Sequence, residues 1–284
     1  MMLTFMNVDE LLSHYEAGAR DFREAKLSQF NLSDRDLQGI NLRRANLSGA
    51  NLRGANLRMA NLREANLAGA DLRGADLTIA NLIGAELYQA DLSKATLTDA
   101  GLRSAKLTEA TLVQAVLIGA NLAEALLDRA NLTEANLNDA SLNRAKLIAA
   151  NLTRATLENA NLTNAILNES LMERANLTGA ILHGASLEEA DLHGAELSRT
   201  RLSSANLINA SLSQANVRGA NLSWSSLRGA NLCKANLYRA KLNWANLSET
   251  NLNEAMLISA TVLQTNFQNA NLRGAIMPDG SSHS

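Results

Sequence analysis

The sequence predicts an all-β solenoid, a chain wound around an apolar interior, on three observations. From Phe22 to Met277 every fifth residue is apolar, at 52 positions of which 46 are Leu. Two residues before each, from position 45 to 275, stands a small residue, Ala at 42 of the 47 places. No insertion or deletion interrupts the period.

The period excludes the ordinary elements by geometry. Five steps of about 100° turn a helix by roughly 140°, which scatters the leucines around every side. In a flat strand successive leucines would point to opposite faces, leaving half of them in water. All of them point inward only if the chain turns a corner once per repeat. Ala beside each corner leaves room for the Leu that fills the centre. Asn or Asp commonly precedes the Leu, as at Asn46, Asn51 and Asn56, and such side chains bond backbone groups at bends. Gly two residues after the Leu, as at Gly49 and Gly54, suits backbone with positive φ.

The ends differ from the middle. Asn7 and Glu10 have the spacing of a capping box, and Val8, Leu11, Leu12 and Tyr15 follow helical spacing up to Gly18, which predicts a short N-terminal capping helix. The organisation expected is therefore a capping helix in residues 1–20, repeats over 21–277 and a C-terminal tail in 278–284. The C-terminal end has little to cover it. Either the tail folds over the last coil, giving a monomer, or the end pairs with a second copy as a homodimer.

Runs such as Ala45-Asn46-Leu47-Ser48-Gly49 and Ala70-Asp71-Leu72-Arg73-Gly74 resemble the A(D/N)LXX motif of pentapeptide-repeat proteins, over about nine-tenths of the chain. The resemblance implies a right-handed quadrilateral β-helix with four repeats, or 20 residues, per turn, hence about 13 coils. Met6-Asn7-Val8-Asp9-Glu10-Leu11-Leu12 and the closing Gly274-Ala275-Ile276-Met277-Pro278-Asp279-Gly280 are similar to the ends of cyanobacterial members, a regulator of heterocyst differentiation among them. That likeness implies a cyanobacterial protein with a regulatory role in differentiation control.

Charge and composition narrow the function. With 26 basic and 28 acidic residues the net charge is −2, so no overall field draws the chain to nucleic acid or anionic lipid. One cysteine, Cys233, fits a reducing compartment and a cytoplasmic location. No run of apolar residues is long enough to span a membrane, and Met1–Phe5 is too short for a signal peptide. No phosphate loop, nucleophile elbow, metal spacing or cofactor motif is present, so an enzyme is not expected. His183 and His193, ten residues apart, would lie on opposite faces and cannot share a metal.

Under a 20-residue coil two surface features stand out. Arg23, Arg43 and Arg63 would stack beside the column Glu24, Arg44, Glu64, as a solvated charged face or a site for an anionic partner. Trp224 and Trp244 would stack outward one coil apart, with Tyr238 and Arg239 across the neighbouring corner and Arg218 nearby. This aromatic cluster reads either as a contact for a protein partner or as a stack that only ties two coils together. The expected function is a non-catalytic scaffold or regulatory interaction module. The alternative is a DNA mimic that binds DNA gyrase, as some relatives do, which would require a strongly negative surface. Ice binding by threonine ladders has only the short stacks Thr78 with Thr98 and Thr133 with Thr153 behind it.

Overall fold

A computed structural model describes residues 7–283, so residues 1–6 of the expected capping segment, including Met6 of the terminal motif, lie outside the described residues. The chain separates into two compact units, Met1–Ser141 and Leu142–Ser284.

The backbone corrects the predicted class. Among the described residues there is no strand and no sheet, so neither an all-β solenoid nor a quadrilateral β-helix of 13 coils describes the chain. Each repeat is a turn, and β geometry within the repeats is confined to isolated one-residue parallel bridges between positions 20 apart, such as Asn41 with Asn61 and Asn206 with Ser226. The reason lies in the short period. Two residues after each Leu make the turn and the small residue follows it, so only the residue before the Leu bridges its counterpart. A β ladder needs consecutive pairs, and the next turn arrives before a second pair can form.

The turns nevertheless satisfy every backbone N–H of a typical repeat. In the first unit, Asn61 N–H donates to Ile40 O at 2.9 Å, Leu62 to Asn81 O at 2.7 Å and Glu64 to Ile83 O at 2.9 Å, while Ala65 closes the turn on Leu62 O at 3.0 Å. The remaining N–H, of Arg63, is taken by Asn61 Oδ1 at 3.3 Å. That bond gives the recurrent Asn its physical role: without it the N–H at each corner would have no partner within the chain. The same pattern recurs in the second unit, where Ser223 N–H donates to Asn221 Oδ1 at 3.1 Å.

The second residue after the Leu sits in the left-handed region whether or not it is Gly: φ is +63° at Gly49, +58° at Glu64 and +60° at Ile79. Ile79 is the one β-branched residue so placed among the described residues, where its branched side chain opposes the backbone. The interior is uniform, with the Leu positions from Leu27 and the Ala positions from Ile40 buried through to Leu257 in both units. Where Thr200, Ser225 and Thr250 replace Ala, each hydroxyl donates to the carbonyl three residues back, at 2.7, 2.6 and 2.7 Å.

One helix, α1 (Val8–Glu16), stands at the start of the first unit. Glu10 N–H donates to Asn7 Oδ1 at 2.9 Å and Asn7 N–H to Glu10 Oε2 at 3.2 Å, closing the capping box. Leu11 is fully buried, Tyr15 Oη donates to Gln38 O at 2.8 Å, and the Arg20 guanidinium lies 3.9 Å from the Tyr15 ring centre. At the far end of the second unit Ile276 bridges Ser282 in antiparallel fashion, Gly274 N–H donates to His283 O at 2.7 Å and His283 N–H donates to Ala275 O at 2.9 Å. The tail follows that one segment alone, and Val262, Phe267 and Leu272 stay partly exposed.

Candidate interaction surface

The residue two after each Leu points outward from a left-handed turn, so a 20-residue register lays such side chains over one another. Trp224 and Trp244 occupy successive places in one such column, with φ of +64° and +62°. Their rings stack with centres 5.0 Å apart and planes 3° from parallel. They are 62% and 47% exposed, against a surface nearly free of other aromatics. Packing on each other therefore leaves much of both indoles in water.

Around the preceding corner, Tyr238 lies between two cations. The Arg218 and Arg239 guanidinium carbons are 5.1 and 5.0 Å from its ring centre, within cation–π range. Gly219 stacks between Arg199 and Arg239 in the adjoining column, and the missing side chain opens a shallow groove of about 380 Å³ lined by Ser198, Arg199, Asn216, Arg218, Gly219 and Arg239. The structure thus brings together Trp224 with Trp244, and Tyr238 with Arg218 and Arg239. Arg199, Arg201 and Lys241 escaped the sequence reading, although counting in twenties from Arg239 and Asn221 reaches all three.

Arg23, Arg43 and Arg63, in the first unit, meet carboxylates. Arg23 makes a paired contact with Asp21 at 2.6 Å, while Glu64 gathers Arg44 at 2.6 Å, Arg63 at 3.0 Å and Arg43 at 3.8 Å. The Arg44 hydrogen bond holds the Glu64 carboxyl below its ordinary range, and the Arg23 hydrogen bond does the same for Asp21. The column is an ion-pair network whose positive charge is largely answered within the chain. His183 and His193 each contact the serine 20 residues on, Ser203 at 2.9 Å and Ser213 at 2.8 Å. Among the described residues no group of three or more His, Cys, Asp or Glu could hold a metal, and no helix is long and apolar enough to cross a membrane.

The model of the pentapeptide repeats family matches in eight copies, in successive stretches running from residues 21–58 to 235–274. The chain belongs to the pentapeptide-repeat family. Among solved structures, this pentapeptide-repeat protein is 36% identical to HetL, a member involved in heterocyst differentiation regulation from the cyanobacterium Nostoc sp. strain PCC 7120, covering 98% of this chain and 100% of that one with a TM-score of 0.38. A second pentapeptide repeat protein of Nostoc is 40% identical over 44% of this chain and 80% of its own, with a TM-score of 0.19. QnrB1, a plasmid-mediated fluoroquinolone resistance protein, is 18% identical over 74% of this chain and 87% of its own, with a TM-score of 0.32. No curated protein sequence matches significantly. The family assignment rests on the repeat match.

Proposed function

We propose that this pentapeptide-repeat protein is a cytoplasmic regulatory module that works by contacting a protein partner, and that the Trp224–Trp244 pair is the centre of the contact. The observation that carries the reading is the pair itself, two parallel indoles about half exposed on an otherwise aromatic-poor surface. Folding alone gains little from large apolar faces left in water, whereas Trp and Arg are the residues whose burial dominates interface energetics. The terminal motifs set differentiation control as the process to examine first.

The test is affinity capture from a cyanobacterial lysate with the wild-type protein and with Trp224→Ala/Trp244→Ala. Both side chains are exposed, so the variant is expected to keep the wild-type circular dichroism and melting temperature. A true partner should bind it at least tenfold more weakly, the effect of losing about 2 kcal/mol at an interface centre. Retention of every captured protein at wild-type levels would mean that the pair only ties two coils together.

A further inference from the structure

The face that joins the tryptophan column to the arginine groove carries a charge pattern unlike the rest of the chain. It is built from three stretches in 20-residue register, 198–204, 218–224 and 238–244, and these contain Arg199, Arg201, Arg218, Arg239 and Lys241 but no Asp or Glu. The stretches before and after them, 178–184 and 258–264, hold no carboxylate either, in a chain where acids outnumber bases by 28 to 26. All five cations are exposed, and none forms an ion pair among the described residues. In the first unit, by contrast, Arg23, Arg43, Arg44 and Arg63 are each met by a carboxylate.

Two features hold this charge ready for a ligand. Arg218 and Arg239 are braced on the Tyr238 ring at 5.1 and 5.0 Å, and Gly219 keeps the space between Arg199 and Arg239 open. The nearest acid on the groove side, Glu196, is occupied by Ser198 and by Asn216 Nδ2 at 2.8 Å. Successive backbones joined by hydrogen bonds lie about 4.8 Å apart, so the three stretches span roughly 10 Å, the length of three or four residues of extended chain. Five cations over that length match the few side-chain carboxylates of a short acidic segment.

We infer that this face receives a short acidic segment of the protein partner, an extended run of Asp or Glu side chains held by Arg199, Arg218, Arg239 and Lys241. The inference rests on the reading that this surface contacts a protein, and it names that partner's chemistry. Guanidinium groups suit the task because they bind carboxylates through two parallel N–H bonds.

The probe is a fluorescein-labelled hexaglutamate peptide followed by fluorescence anisotropy at low salt, with a hexathymidine oligonucleotide and inorganic phosphate as competitors. Wild-type protein should bind the peptide, salt should weaken binding, and Arg218→Ala/Arg239→Ala/Lys241→Ala should lose at least tenfold in affinity. Arg53→Ala/Arg73→Ala, in the first unit where Arg73 already pairs with Asp71 and Asp91, should bind as wild type. Arg218→Lys/Arg239→Lys should retain part of the affinity, which separates lost charge from a damaged surface. No peptide binding, equal binding by the triple variant, or tenfold preference for the oligonucleotide would overturn the inference. Unlabelled hexaglutamate, which has no aromatic group, should displace the probe equally from wild type and from Trp224→Ala/Trp244→Ala, so failure of the tryptophan reading and failure of the acidic-segment reading give different results.

Discussion

Replacing Leu187 with Ala is expected to lower the unfolding free energy of the Leu142–Ser284 unit by about 3 kcal/mol. Leu187 is fully buried, and its backbone N–H donates to Asn206 O at 2.6 Å, so both the side chain and the turn are committed to the interior. Its counterparts Leu167 and Leu207, 20 residues away on either side, are held by their own turns and cannot collapse into the space left behind. The cost is then the lost transfer energy plus an unfilled cavity, and large-to-small changes of this kind range over about 2–5 kcal/mol. Urea unfolding followed by circular dichroism checks it, with the nearby exposed Glu189→Ala expected to stay within about 0.5 kcal/mol of wild type. A Leu187→Ala midpoint equal to wild type would mean that the repeat leucines do not share one packed interior.

Leu11→Asp is expected to detach α1 from the first coil. Burial of Leu11 is complete, and removing it forfeits roughly 1.5–3 kcal/mol before the charge is counted. A carboxylate at that place cannot stay buried without a partner, so the helix must leave together with the Tyr15 bond to Gln38. The first coil, with Phe22, Leu27, Leu32 and Leu37, is then open at one end, and its unpaired backbone groups become a template for association. Sedimentation should show concentration-dependent self-association of the variant at concentrations where the wild type does not change. Tyr15→Phe, which removes only one hydrogen bond, should cost about 1 kcal/mol and leave the sedimentation unchanged.

The interior was legible because a five-residue period can bury Leu167 and Leu187 together only if the chain turns once per repeat. The backbone class was not, because the period counts apolar residues and not how many residues of each repeat stay extended. Asn61, Leu62, Arg63, Glu64 and Ala65 show the answer, with one bridging residue and the rest spent on the turn. The left-handed place could be read at Gly49 but not at Glu64 or Trp224, whose side chains give no such signal. The stack of Trp224 on Trp244 follows from counting in twenties, as does the place of Tyr238 beside Arg218. Glu64 was visible as a partner for Arg44, but its reach to Arg63 and Arg43 depends on rotamers no pattern encodes. Arg199, Arg201 and Lys241 were missed for a different reason: each is an ordinary surface charge, and only the absence of carboxylates across three stretches makes them a group. The division near Ser141 leaves no trace in a repeat that runs through it unbroken.

All of these surfaces depend on the 20-residue register, and cysteine cross-linking tests it most directly. In a Cys233→Ser background, Glu189→Cys with Asn209→Cys places two exposed thiols in one column, about 4.8 Å apart at the backbone and within reach of a disulfide. Glu189→Cys with Ser204→Cys, 15 residues apart, places them on neighbouring corners. Mild oxidation should join the first pair rapidly and leave the second as free thiols; joining of the second pair first, or of both at one rate, would contradict the register and everything built on it.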